Sequence, residues 1–113
     1  MKAINQPAQE QPTLPTIYIS GPMTGLPELN FPAFNAAAAA LRALGHAVVN
    51  PADLNPAGAS WQACLRADIK ALCDCDTLAL LPGWEGSPGA HLELHVAHRL
   101  GLLVVPMGLL LGH

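Results

Sequence analysis

Between residues 16 and 106 the chain alternates short apolar runs with longer segments of helical periodicity. Thr16-Ile-Tyr-Ile-Ser20 is β-branched and aromatic and reads as a buried first strand. Gly21-Pro-Met-Thr-Gly25 follows as a loop at its C-terminal end. Asn30 is placed to cap a helix with Pro32 in its first turn, and Gly45 to stop it. Phe31, Phe34, Leu41 and Leu44 fall on one face of that helix, and the alanine run 36–40 raises its propensity. Ala47-Val-Val49 predicts a short second strand, ended by Asn50-Pro51, with a loop over residues 50–59. Ser60 caps a second helix running to about Cys73. Asp76 to Leu81 predicts a third strand, Pro82 to Gly86 a glycine-rich loop, and Pro88 to Leu100 a third helix ended by Gly101. Leu102 to Pro106 reads as a fourth strand, and 109–111 as a weak fifth. This order implies an α/β three-layer sandwich around a parallel sheet of four to five strands. Right-handed crossovers then bring both glycine-rich loops and the Ser87 turn to one rim.

Two carboxylates stand out against this pattern. On the second helix Trp61, Leu65 and Leu72 share a face with Ile69 at its edge, and Asp68 falls inside the same apolar stripe. A carboxylate there is costly unless paired or hydrogen-bonded, so Asp68 either caps a neighbouring loop or lines a pocket. Glu93 follows the turn Ser87-Pro-Gly-Ala-His-Leu, about one turn into the third helix, flanked by Leu92 and Leu94. It is either an ordinary surface charge or a partly desolvated acid at the mouth of the sheet, where α/β folds place ligands.

Composition narrows the class. The 113 residues suffice for one domain, 16–113, preceded by a Gln- and Pro-rich stretch, 1–15, without periodicity that is expected to be a disordered tail. Hydrophobic residues make up 51% and charged ones 12%, too little charge to solubilise a small monomer easily, so a homo-oligomer is expected. With five Lys or Arg and a net charge of −3, a nucleic-acid polymer is excluded as a partner, while a single nucleotide held by backbone N–H groups is not. Cys64, Cys73 and Cys75 match no zinc spacing and read as reduced, mostly buried thiols of a cytoplasmic protein. The chain lacks a signal-peptide pattern at its start, and the apolar stretch 100–111 is too short and too interrupted to span a membrane.

Ile17-Tyr-Ile-Ser-Gly-Pro-Met23, Asp68 with Asp76, and Ser87-x-Gly89-x-x-x-Glu93 followed by Ala97 and Gly101 together resemble the nucleoside 2-deoxyribosyltransferase superfamily. The likeness covers most of residues 16–106 and is greatest to a short, phage- and bacteria-associated branch, similar to the deoxynucleoside monophosphate N-glycosidases. It implies a flavodoxin-like fold, an oligomer, no cofactor, and a nucleoside or nucleotide as the small-molecule partner. It implies that Glu93 is the nucleophile attacking the anomeric carbon. It further implies that Gly89 lets backbone approach the sugar, that Tyr18 and Gly21, with Pro22 and Met23, form the motif beside the nucleophile, and that Asp68 contacts base or sugar. The transferases commonly carry Asp where this chain has Ser87. A hydroxyl in that place suits a 5′-phosphate held with the loop 21–25, although that loop has no arginine.

The chemistry so implied is cleavage of an N-glycosidic bond through an oxocarbenium-like state trapped by a carboxylate. Asp68 or Asp76 would assist departure of the base, and water or a second base would complete hydrolysis or transfer. A nucleotide-binding module without turnover is the competing reading. A metal site is disfavoured: His91, His95 and His98 share a helix face, but H-L-E-L-H is not a zincin motif and Glu93 points elsewhere. Trp61 and Trp84 suit either base stacking or packing, and Glu85 is expected in solvent.

Overall fold

The computed structural model describes residues 14–54 and 58–112. The expected tail lies outside these except for Leu14 and Pro15. Strands β1 (Thr16–Ser20), β2 (Ala47–Val49), β3 (Thr77–Leu80) and β4 (Leu103–Pro106) form one parallel sheet in the order β2-β1-β3-β4. Three long helices make the crossovers: α1 (Phe31–Ala43), α3 (Trp61–Leu72) and α4 (Pro88–Leu100). Two single α-helical turns, α2 (Pro51–Leu54) and α5 (Met107–Leu110), and two 3-10 turns, Pro27–Asn30 and Trp84–Gly86, lie in the connections.

Strand alternation sorts the core into two layers. Ile17 and Ile19 of β1, with Ala79 and Leu81, face Phe34, Ala37, Ala38 and Leu41 of α1 and Met107 of α5. Tyr18 of β1, with Leu78 and Leu80 of β3, faces the other way, onto Leu72 of α3 and Ala97 of α4. The side of β1 that carries Tyr18 is therefore the side covered by α3 and α4. Between β1 and β3 the chain's winding reverses, which opens a crevice at the C-terminal ends of those strands.

Several boundaries follow the local chemistry. Ser60 Oγ accepts from the Ala63 N–H at 3.1 Å and starts α3, and Gly101, at φ +81°, ends α4. Four expectations need correction. Residues 109–111 add no strand: after Pro106 the chain turns into α5, and Met107 packs into the α1-side core. The segment 50–59 is not all loop, because Asn50 Oδ1 accepts from the Ala52 N–H at 3.1 Å and Pro51 suits a first helical turn, so α2 forms there. Asn30 does not cap α1 with its side chain. It sits at φ +61° and its Nδ2 donates to the Pro22 carbonyl at 2.9 Å, tying the β1 loop to the helix start. Of the thiols only Cys75 is buried, Cys64 being half-buried and Cys73 exposed. Burial pushes the Cys75 thiol up to about 11, with the nearby Asp74 and Asp76 adding to the effect.

Gly21 is fixed by a close approach. A Cβ there would lie 2.8 Å from the Leu81 Cβ, while the Leu81 N–H, donating to the Ser20 carbonyl at 2.8 Å, prevents the two strands from parting. Gly21→Ala should therefore cost about 1–3 kcal/mol, read as a lower midpoint in urea, by the usual penalty for overpacking. An unchanged midpoint would show that the loop yields freely. The edge strand β4 is flanked by exposed apolar side chains, Leu103 at 59% and Leu109 at 68%. Sedimentation at micromolar concentration is expected to show a dimer or larger species, and a clean monomer would count against that expectation.

Candidate active site

Ser20 follows Tyr18 by two residues, so both side chains leave β1 on the α3/α4 side. On α4 the buried positions are Ala90, Glu93 and Ala97, an inward stripe in which two alanines leave room for one acid. The two elements meet at that acid. The Tyr18 hydroxyl donates to Glu93 Oε2 at 2.7 Å, and the Ser20 hydroxyl donates to Oε1 at 2.6 Å. Glu93 is 5% exposed, and Asp68, on the neighbouring α3, is 8% exposed.

The electrostatics of this cluster have one dominant cause, which is burial. Loss of water raises the Glu93 carboxyl to about 7; the hydrogen bonds from Ser20 and Tyr18 pull it down, and the Asp68 charge pushes it up. Tyr18 is held far above the ordinary tyrosine range by burial and then by the Glu93 and Asp68 charges. It therefore acts as a hydrogen-bond donor and not as a base.

The cluster lies beneath a cleft of about 450 Å³ at the C-terminal rim of the sheet. That volume falls within the range of small-molecule sites. Asp68, Ser87, Gly89 and Glu93 all line it, as do Pro22 and Met23 from the β1 loop. These are six of the nine residues expected at the site. Tyr18 acts from beneath through Glu93, and Gly21 acts through packing against Leu81. Asp76 is the correction. Its Oδ2 accepts from the Thr16 N–H at 3.0 Å, where β1 begins, which is the opposite end of the strands from the cleft. The substrate-binding role expected for Asp76 does not fit this position, because its carboxylate ties β1 to β3 at the far rim.

Ser87 lines the cleft, but its Oγ also accepts from the Ala90 N–H at 3.2 Å as the cap of α4. Gly89 shows the reverse of Gly21: a Cβ there would meet only Leu65 Cδ1 at 3.9 Å and Ser87 Oγ at 4.0 Å, ordinary contacts. The chain's own packing leaves the site open for a side chain, and the free space belongs to the cleft. Trp61, 52% exposed, stands at the mouth with Phe31, whereas Trp84 is partly buried against the α3/α4-side core and packs on the His91 ring at 5.3 Å. His91 Nε2 donates to the Glu85 carbonyl at 2.7 Å, so the first histidine of the stripe braces the glycine-rich loop. Among the described residues no group of three or more His, Cys, Asp or Glu is arranged to hold a metal ion.

Two features were not anticipated from the sequence. Ser20 is the second donor to Glu93, and its place two residues after Tyr18 on a predicted strand was the available signal. The second feature is the wall carrying Leu29, where Glu28, Leu29 and Asn30 all have φ between +52° and +61°. Left-handed backbone at non-glycine residues costs on the order of 1 kcal/mol each, and the Asn30–Pro22 hydrogen bond helps to hold it.

A family model described as a domain of unknown function (DUF4406) matches residues 15–106. The chain belongs to the DUF4406 family. Among solved structures, it is similar to the CMP N-glycosidase BcmB of Clostridium botulinum, with a TM-score of 0.56 and 22% identity. The match covers 80% of this chain and 66% of that enzyme, so this chain spans less than two thirds of its length. No curated protein matches. The parallel α/β fold of this DUF4406 domain is thus similar to the fold of that CMP N-glycosidase. No helix among the described residues is long and apolar enough to cross a membrane.

The raised Glu93 pKa is also a stability statement. Between about pH 4.5 and 7 the folded protein holds a proton that the unfolded chain releases. Folding stability from this group therefore falls as pH rises through that window, by about 3 kcal/mol in full. Glu93→Gln should abolish the loss, so its Tm advantage over the native protein should grow between pH 5 and pH 8. A constant difference across that range would overturn the assignment of Glu93 as a buried, reluctantly ionised acid.

Proposed function

We propose that this protein cleaves, or transfers the sugar at, the N-glycosidic bond of a nucleoside-class ligand, with Glu93 as the nucleophile. The observation that carries the reading is a buried carboxylate gripped by two strand hydroxyls in a ligand-sized cleft. The fold shared with a CMP N-glycosidase supports it.

Each part has a chemical task. Tyr18 and Ser20 hold both carboxylate oxygens in one orientation, so the acid meets the sugar without rotamer search. Ionised, Glu93 stabilises the positive charge that develops at C1′ and then bonds to that carbon. Gly89 gives the sugar close passage along the α4 backbone. Asp68, lining the same cleft, supplies negative charge beside the breaking bond. Water admitted to C1′ gives hydrolysis, and a second base gives transfer. The 2-deoxyribosyl group belongs to this proposal as the sugar with the least electron withdrawal at C1′, and hence the easiest oxocarbenium.

The test is base release from a panel of ribo- and 2-deoxyribonucleosides and their 5′-monophosphates, followed by chromatography. Glu93→Ala should lose release to background while keeping its fold. In the native protein kcat/KM should rise with pH to a plateau, with its midpoint near the Glu93 value of about 7. Ser20→Ala removes a hydrogen bond that favours the carboxylate, so the rising limb should move to higher pH. Gly89→Ala should leave stability unchanged or slightly raised, as for Gly→Ala in a helix, yet impair turnover. Binding of a nucleotide without release of base by the native protein would replace the enzyme with a binding module of the same fold.

A further inference from the structure

The charges around the cleft are one-sided. Its lining contains two buried carboxylates, Asp68 and Glu93, and no Lys, Arg or His among the described residues. The described cations are elsewhere. Arg42 donates to the Val48 carbonyl and lies 3.8 Å from Asp53, Arg66 and Lys70 line a separate shallow groove with Ile69 and Leu92, and Arg99 sits in the last turn of α4. The remaining walls are apolar or aromatic, including Met23, Phe31, Trp61 and Leu65. Among the described residues a phosphate would meet two acids and no cation in this cleft. A cation would meet both acids and two aromatic rings.

We propose that the cleft selects N-glycosides whose base is itself a cation, such as a ribosyl- or 2-deoxyribosyl-pyridinium, and discriminates against 5′-phosphorylated ligands. This rests on the glycosidase reading above and specifies its substrate class.

The leaving-group chemistry agrees. A neutral purine or pyrimidine needs a proton or strong hydrogen bond as it departs. Of the two acids expected to supply it, Asp76 lies at the opposite rim and Asp68 alone lines the cleft, while the Tyr18 proton is committed to Glu93. A pyridinium needs no proton. A Glu93 oxygen bonds to C1′, the C1′–N bond breaks, and its electron pair goes to the ring nitrogen, which leaves neutral. Water then bonds to C1′, the Glu93–C1′ bond breaks, and the water's proton goes to solvent. The products are a free sugar, a neutral base and one proton. A cation seated beside Glu93 also favours the ionised carboxylate that the first step requires.

The experiment uses the full chain with the ribosyl and 2-deoxyribosyl nucleosides of 3-carbamoylpyridinium, the matching cytosine and adenine nucleosides, and the 5′-monophosphate of each. Calorimetry gives affinity, and chromatography gives base release. The pyridinium nucleosides should bind on the order of tenfold tighter than the neutral ones, and each 5′-phosphate should weaken binding. Asp68→Asn should reduce that preference. Trp61→Leu, at an exposed position that does not threaten folding, should reduce it independently. Equal or better binding and cleavage of neutral nucleosides, or tighter binding of monophosphates, would overturn the charge selection and leave the glycosidase reading standing. Selective binding of the pyridinium nucleosides without release of base from any ligand would uphold the selection and overturn the glycosidase. Failure of every ligand to bind would overturn both.

Discussion

A carboxylate withdrawn from water is destabilising unless the protein supplies what water did, and the architecture around Glu93 does so with two hydroxyls on one strand. This contact joins the elements that define the cleft. β1 contributes Tyr18 and Ser20 at its C-terminal end, α4 contributes the acid, and α3 adds Asp68. The alternation of β1 must therefore be in register with the inward stripe of α4. A slip of one residue would turn Ile17 and Ile19 toward the acid and the two hydroxyls into the α1-side core. The sheet's parallel topology, with the winding reversed between β1 and β3, decides that the acid meets a crevice and not a packed helix.

The glycines at the rim divide the labour between shape and access. Gly21 permits β1 and the end of β3 to touch, which closes the floor beneath the site. Gly89 is not demanded by the chain's own packing and leaves the wall open toward the cleft. Opposite, the left-handed run 28–30 carries Leu29 into the lining at the expense of backbone strain. Strain of this kind persists where surrounding contacts over-determine it, as the Asn30 side chain does here by bonding Pro22 in the neighbouring loop.

Much of this was legible in the sequence because its signals are local. The β-branched run at residues 16–20, Ser60 before the second long helix, and Ser87-Pro88 with Gly101 around α4 each specify a boundary through backbone chemistry alone. Asp68 was legible through helical periodicity, as an acid inside an apolar stripe. Glu93 was harder. Leu92 and Leu94 flank it in sequence but not on its face, and the informative neighbours are Ala90 and Ala97, whose small size makes the space. Asp76 misled because sequence distance does not say which end of a strand a residue occupies: it precedes β3, whereas the cleft follows it. The turn at 107–110 was equally hidden, since a short apolar run satisfies strand and helix alike until packing decides.

The same burial that weakens the fold near neutral pH would serve the acid in the proposed reaction. A solvated glutamate would be ionised throughout the physiological range, but water would compete with a ligand for it. Glu93 exchanges most of that water for two fixed hydroxyls, so less solvent must be displaced when a ligand arrives. Two alternatives would reduce the energetic penalty. A basic residue beside Glu93 would ionise it fully but would also neutralise the charge it presents to the cleft. An apolar residue in place of Asp68 would relieve the repulsion but would halve the negative charge facing the ligand. The observed arrangement retains both acids in the cleft lining, so in the proposed reaction positive charge developing on the ligand would meet carboxylates already in place.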